Sequence, residues 1–96
     1  MRFKALVSLK TERSGGRKDK VLKSYRPSFI VNNKKSDCTF EECDSIEPGK
    51  SGMVTILILY PKLLMSRDFS LEKDLMFDIA EGNKIVGCGI ITEILN

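Results

Sequence analysis

The chain is 96 residues long, 42% hydrophobic and 30% charged, with 16 Lys+Arg against 13 Asp+Glu and a net charge of +3. That length holds one packed domain, residues 1–96, and no second core, and the composition is that of a globular chain rather than a disordered one. With no histidine and three cysteines, imidazole catalysis is excluded and any disulfide scheme leaves a cysteine over, while the weakly basic balance rules out neither a nucleic-acid nor a protein partner.

In chain order the period is mostly two. Residues 2–10 alternate Phe3, Ala5, Val7 and Leu9 with more polar neighbours and read as a half-buried strand. A signal peptide needs an unbroken apolar stretch there, and the longest apolar run, residues 56–60, is too short to span a bilayer. No membrane association is expected, and the expected location is the cytoplasm. Gly15-Gly16 then turns the chain inside a basic run that collects Lys10, Arg13, Arg17, Lys18, Lys20 and Lys23 against Glu12 and Asp19. Residues 21–24 and 28–31 read as two pieces of one bent second strand around Pro27, whose missing N–H suits an edge, a bulge or a strand start.

Residues 32–37 read as a polar turn region, residues 38–43 as a strand, and Pro48-Gly49 with Ser51-Gly52 as a second loop. Residues 53–60, MVTILILY, are nearly continuous in apolar residues and predict a strand buried on both faces. The span 62–74 is ambiguous, because Leu71 and Leu75 have helical spacing while Leu75, Phe77 and Ile79 alternate toward a turn at Glu81-Gly82-Asn83. The favoured reading is a strand from about Leu75. Residues 85–95 form the last strand, in which Gly87 and Gly89 flank Cys88 and mark a bulge or a close backbone approach. Six short strands without a helical pattern predict an all-β fold, a single closed six-stranded antiparallel barrel.

Few residues are arranged for chemistry. GKS at residues 49–51 has the end of a phosphate-binding loop, but that loop needs a glycine where the chain has Asp44 and a helix where it has MVTILILY. GTP binding by this chain alone is therefore not expected. No serine or cysteine stands beside a plausible base, so no catalytic residue and no cofactor is assigned. Cys38 and Cys43 without a histidine fall short of a zinc site, and Glu41, Glu42, Asp44 and Glu47 lack the spacing of a calcium loop. The acids read as a solvated face, the cysteines as small hydrophobes in a reduced compartment, and no metal is expected.

GGRKDKVLKSYRPSF, then PG, then MVTILILYP, then LMFDIAEGNKIVGCGIITEIL stand in an order that resembles the C-terminal β-barrel, the third domain, of elongation factor Tu. The matching positions include Gly15, Gly16, Arg17, Tyr25, Arg26, Pro27, Phe29, Pro48, Gly49, Pro61, Phe77, Glu81, Gly82, Gly87 and Gly89, and they cover the whole chain. The resemblance implies the translation-factor C-terminal barrel and contacts to the T stem of aminoacyl-tRNA through the glycine-arginine loop and the Glu-Gly turn. Carried over, it implies Arg17 as a phosphate contact, and Glu81 with Gly82 as a ribose and backbone contact. A guanidinium fork suits phosphate, and a carboxylate can accept from a 2′-hydroxyl. The chain departs from the family pattern at Lys18-Asp19, where His-Thr is usual, at Ser28, where a glutamine is usual, and in a longer span between Pro61 and Glu81. The GTPase domain and second barrel that accompany this barrel in the family have no counterpart in these residues, so the chain alone is not expected to work as an elongation factor.

Two functions remain open on these grounds. In one, the domain binds RNA, a tRNA helix or another structured RNA, through loop 13–20 with Arg17, Lys18 and Lys20 and through turn 81–83 with Glu81 and Gly82. In the other, it is a protein-interaction module that docks on a translation GTPase, or on a factor or toxin that recognises elongation factor Tu. Either reading treats Arg17 as an exposed loop charge and the protein as no enzyme.

Overall fold

The computed structural model describes residues 1–67 and 69–95. Six antiparallel strands, β1 (Arg2–Leu9), β2 (Ser28–Val31), β3 (Lys34–Cys43), β4 (Ser51–Ile58), β5 (Met76–Glu81) and β6 (Lys84–Ile94), close into a barrel in the order β1-β4-β3-β2-β5-β6. The all-β six-stranded barrel expected from the period-two segments is the fold observed.

The alternation in β1 drives Phe3, Ala5, Val7 and Leu9 inward, and β4 answers with Val54, Ile56 and Ile58. Three rings fill the centre: Phe29 and Phe77 stack at 4.5 Å, and Phe3 meets them edge-on at 5.7 and 6.1 Å. Such pairs add about 0.5–1.5 kcal/mol each beyond the burial of their area. Gly87 and Gly89 of β6 let this packing close. A Cβ at Gly87 would lie 2.6 Å from the Ser8 carbonyl oxygen, and one at Gly89 would lie 2.5 Å from the Phe77 ring. Both halves of the sequence expectation hold here, because the β5–β6 register also shifts between Ile79 and Ala80, leaving Val86 as the extra residue.

Four expectations are corrected. Residues 21–24 are not part of the second strand: Val21 pairs instead with Ile46 in an isolated bridge, and Ser24 takes a positive φ of 76° that breaks the extended run. The backbone nevertheless stays beside β3, with Phe40 N donating to the Tyr25 carbonyl and Cys38 N to that of Pro27. The polar turn region of residues 32–37 shrinks to Asn32-Asn33, whose φ values of 52° and 63° make the tight hairpin turn that asparagine tolerates, so β3 begins at Lys34. Ser51-Gly52 belongs to β4 rather than to a loop. β4 is buried on one face only, since Met53 is exposed and Thr55 and Leu57 are half-buried; its outer apolar residues defeat a rule that infers two-sided burial from a continuous run.

Between β4 and β5 the chain is irregular. A 3₁₀ turn at Pro61–Leu63 is followed by a bridge between Ser66 and Phe69, and Leu64 and Leu71 are buried in the core. The helical spacing of Leu71 and Leu75 is not realised among the described residues, whereas the favoured strand from about Leu75 is β5, which begins at Met76; Asp68 lies outside the described residues.

Candidate functional site

Loop 10–20 is built around its glycines. The Thr11 hydroxyl accepts from Ser14 N at 3.1 Å and caps a 3₁₀ turn, Glu12–Ser14; Gly15 then turns left-handed at φ 90°, and Gly16 N donates to the Thr11 carbonyl at 2.8 Å. Gly16 lies so close to Lys10 that a Cβ would sit 2.4 Å from the Lys10 carbonyl oxygen. The two glycines thus do different things: the first supplies a backbone conformation, the second a contact distance.

This knot launches Arg17 across the barrel end toward the β5–β6 hairpin. Its Nη1 donates to Glu81 Oε2, its Nε donates to the Asp19 carbonyl at 2.7 Å, and its guanidinium lies over the Tyr25 ring at 4.7 Å. The Tyr25 hydroxyl donates to the same Glu81 Oε2 at 2.5 Å, and its ring rests edge-on against Phe40 at 5.3 Å. Arg17 and Glu81, 64 residues apart in sequence, therefore meet directly, and Tyr25 is a partner of both. At 21% side-chain exposure Arg17 is not the exposed loop charge expected from sequence, because the planar fork finds a carboxylate, a backbone carbonyl and a ring face at once.

The electrostatics follow from this closure. Burial alone would raise the Glu81 carboxyl, but the hydrogen bonds from Tyr25 and Arg17, with the nearby charges of Arg17 and Lys84, outweigh it and hold Glu81 below the ordinary carboxylate range. Burial and the hydrogen bond to Glu81 push the Tyr25 hydroxyl above its ordinary value. Glu81 Oε1 accepts no hydrogen bond from the described residues, and 36% of the side chain is exposed. One oxygen is committed to the protein, and the other accepts nothing from the described residues.

Gly82 holds the hairpin turn at φ 61°, and its carbonyl accepts from Lys35 Nζ at 2.9 Å. Lys18, Lys20, Lys35 and Lys84 are all exposed around this junction, against Asp19 and Glu81. The structure thus sets Arg17 on Glu81 beside Gly82, with the Lys20 carbonyl 3.5 Å from the same guanidinium, while Lys18 is exposed on the loop. Sequence reasoning missed Lys35 and Lys84, which reach the site only because β3 and β6 start beside it, and it gave Tyr25 no part in the site.

The sequence profile of the Elongation factor Tu C-terminal domain matches residues 1–95. The chain belongs to that family. It is a translation-factor-like β-barrel of a non-catalytic domain family, tied by that family to the translation machinery. Within this elongation factor Tu C-terminal barrel, two of the four acidic candidates pair: Glu41 takes Arg2, and Glu42 lies 3.9 Å from Lys23. Among the described residues, no group of three or more potential ligands could hold a metal ion, no buried side-chain nitrogen or oxygen lacks a partner, and no helix is long and apolar enough to cross a membrane.

Proposed function

We propose that this barrel binds the backbone of structured RNA, a tRNA helix in the first instance, at the junction of loop 13–20 and turn 81–83, as a cytoplasmic domain without catalysis. The observation that carries the reading is the convergence of Arg17, Tyr25 and Glu81 at one barrel end, ringed by exposed lysines. Lys18 and Lys20, joined by Lys35 and Lys84, neutralise phosphates. Arg17 holds the loop in place and offers its remaining N–H groups, while Glu81 Oε1 and the backbone at Gly82 meet a ribose edge.

Titration of a labelled tRNA at increasing salt tests it. With about four phosphate contacts, the logarithm of the binding constant falls with log salt at a slope of about −3 to −4, and Lys18→Ala or Lys20→Ala each removes close to one unit. Glu81→Gln weakens binding without changing the slope, because a 2′-hydroxyl contact releases no counterion. Absence of salt-dependent binding at low ionic strength overturns the reading.

The engagement of Arg17 by protein groups favours a second reading, in which the junction is a rigid protein-docking surface for a translation GTPase or for a factor or toxin that recognises elongation factor Tu. Recovery of tRNA in a ribonuclease-sensitive pull-down supports the first reading. Recovery of such a GTPase regardless of ribonuclease supports the second.

A further inference from the structure

Tyr25 belongs to neither of the two segments that form the RNA junction, and it is held from a third element. Its carbonyl accepts from Phe40 N at 2.9 Å, Ser24 N donates to the Phe40 carbonyl at 2.8 Å, and its ring lies edge-on against Phe40, which is fully buried in β3. Just before it, a turn is closed by Tyr25 N on the Leu22 carbonyl at 3.2 Å. The ring is thus set by β3, and its hydroxyl ends on the carboxylate at the β5–β6 turn.

At neutral pH Glu81, held below the ordinary carboxylate range, is ionised and has only acceptor sites to offer, about two on each oxygen. Oε2 takes one hydrogen bond from Tyr25 and one from Arg17, so its sites are used. Oε1 accepts from no described residue, although 36% of the side chain is exposed. A ligand hydroxyl that donates to Glu81 has one oxygen left to it. We propose that Tyr25 is the positioning residue of the RNA site, and that its hydroxyl, by holding Oε2 together with Arg17, sets the carboxylate so that Oε1 alone receives a ribose 2′-hydroxyl.

Arg17 by itself does not fix that choice. A guanidinium that clamps a carboxylate with two parallel bonds occupies both oxygens, as Arg2 does at Glu41 through Nε and Nη2. Arg17 instead spends Nε on the Asp19 carbonyl and holds a single oxygen of Glu81 through Nη1. The terminal torsion of a glutamate is broad, so one such bond leaves the carboxylate free to turn and present either oxygen. Tyr25 supplies the second donor on the same oxygen, which restrains the group and keeps Oε1 unoccupied. Its ring has a separate task, lying 4.7 Å from the Arg17 guanidinium, and phenylalanine would retain that contact. The assignment rests on the RNA reading and adds to it the residue that sets the preference for ribose.

Titrations of a labelled tRNA helix, and of the same helix with each strand in turn replaced by its 2′-deoxy counterpart, test it over a range of salt. The unaltered protein is expected to prefer the all-ribose helix to one of the deoxy-substituted helices by about 3- to 10-fold, the worth of one hydrogen bond. Tyr25→Phe brings that ratio toward one, with the salt slope unchanged and the deoxy-substituted helix bound as before. Glu81→Ala removes the same preference, and adding Tyr25→Phe to it changes the ratio no further, because the hydroxyl acts only through the carboxylate. A ribose preference that survives Tyr25→Phe overturns the assignment and leaves the RNA reading standing, as does salt-dependent binding with no ribose preference in the unaltered protein. A loss equal on both helices, or a fall in the salt slope, makes Tyr25 a structural support and overturns the assignment too. If no helix is bound in a salt-dependent way, the RNA reading itself falls, and the assignment with it.

Discussion

Arg2 and Glu41 meet on the outer wall, Nε to Oε1 at 2.5 Å and Nη2 to Oε2 at 3.2 Å, with 41% and 31% of the side chains exposed. Arg17 and Glu81 meet at the barrel end, where the same carboxylate oxygen also accepts from Tyr25 and the guanidinium also covers the Tyr25 ring. Both pairs are arginine with glutamate, and both join distant parts of the chain. The first joins β1 to β3, two strands already held by their common neighbour β4, so it adds little to a register set by ladder hydrogen bonds. The second joins an irregular loop to a hairpin turn that no ladder connects. An ion pair therefore matters according to what else holds its two elements together, and according to how many further groups its loss leaves unpartnered.

The largest separation between the pairs is expected on truncation. Glu81→Ala leaves the Arg17 guanidinium and the Tyr25 hydroxyl without their shared acceptor at a half-buried site, a loss of about 1–3 kcal/mol in urea unfolding. If Glu81→Ala unfolds at the same urea midpoint as the parent protein, the barrel-end triad is only an ornament of the surface. Tyr25→Phe removes one donor and keeps the ring under Arg17 and against Phe40. The expected loss is about 0.5–1.5 kcal/mol, and in a double-mutant cycle with Glu81→Ala the two losses should fall short of adding. Strict additivity would mean that the hydroxyl and the carboxylate do not cooperate.

This contrast also marks what could be read in the sequence. The barrel was legible because β1, β5 and β6 alternate and because Gly87 and Gly89 stand where two backbones close on each other. The family fragments located both halves of the site but not their meeting, since a 64-residue separation between Arg17 and Glu81 leaves no periodic trace. Residues 21–24 carry strand-like side chains, yet Ser24 at φ 76° breaks the extended run, and that conformation does not follow from composition. The continuous run MVTILILY misled because Met53 and Leu57 on its outer face are apolar, so no polar alternation marks the side that β4 turns away from the core.

Acid titration separates the pairs more finely. Glu81 is held below the ordinary carboxylate range in the folded chain, so as pH falls the unfolded state takes up its proton first. The stabilisation is complete above the unfolded value, roughly 4.3 for glutamate, and is lost as pH drops through the lower folded value. In Glu81→Gln this part of the acid limb should disappear, so that stability changes less between about pH 5 and pH 3 than in the parent protein. An unchanged acid limb would assign the loss of stability to other carboxylates.

The smallest effect belongs to Glu41. The hydrogen bond from Arg2 holds its carboxyl below the ordinary range as well, outweighing a slight opposing effect of burial. The sign of its pH dependence is therefore the same as for Glu81, with stability lost as pH falls through the lowered folded value. Its setting differs: both side chains are open to solvent, where counterions screen the attraction and water solvates either charge once the partner is gone. Glu41→Gln should leave the urea midpoint within measurement error at neutral pH, and the small acid-limb difference it makes should vanish in about 0.5 M salt, where the Debye length has shrunk to about 4 Å. The difference made by Glu81→Gln should survive that salt, because two of its three partners approach through hydrogen bonds at a partly enclosed carboxylate oxygen. Equal salt sensitivity in the two variants would mean that enclosure at the barrel end does not shield Glu81, and the distinction between the two pairs would reduce to distance alone.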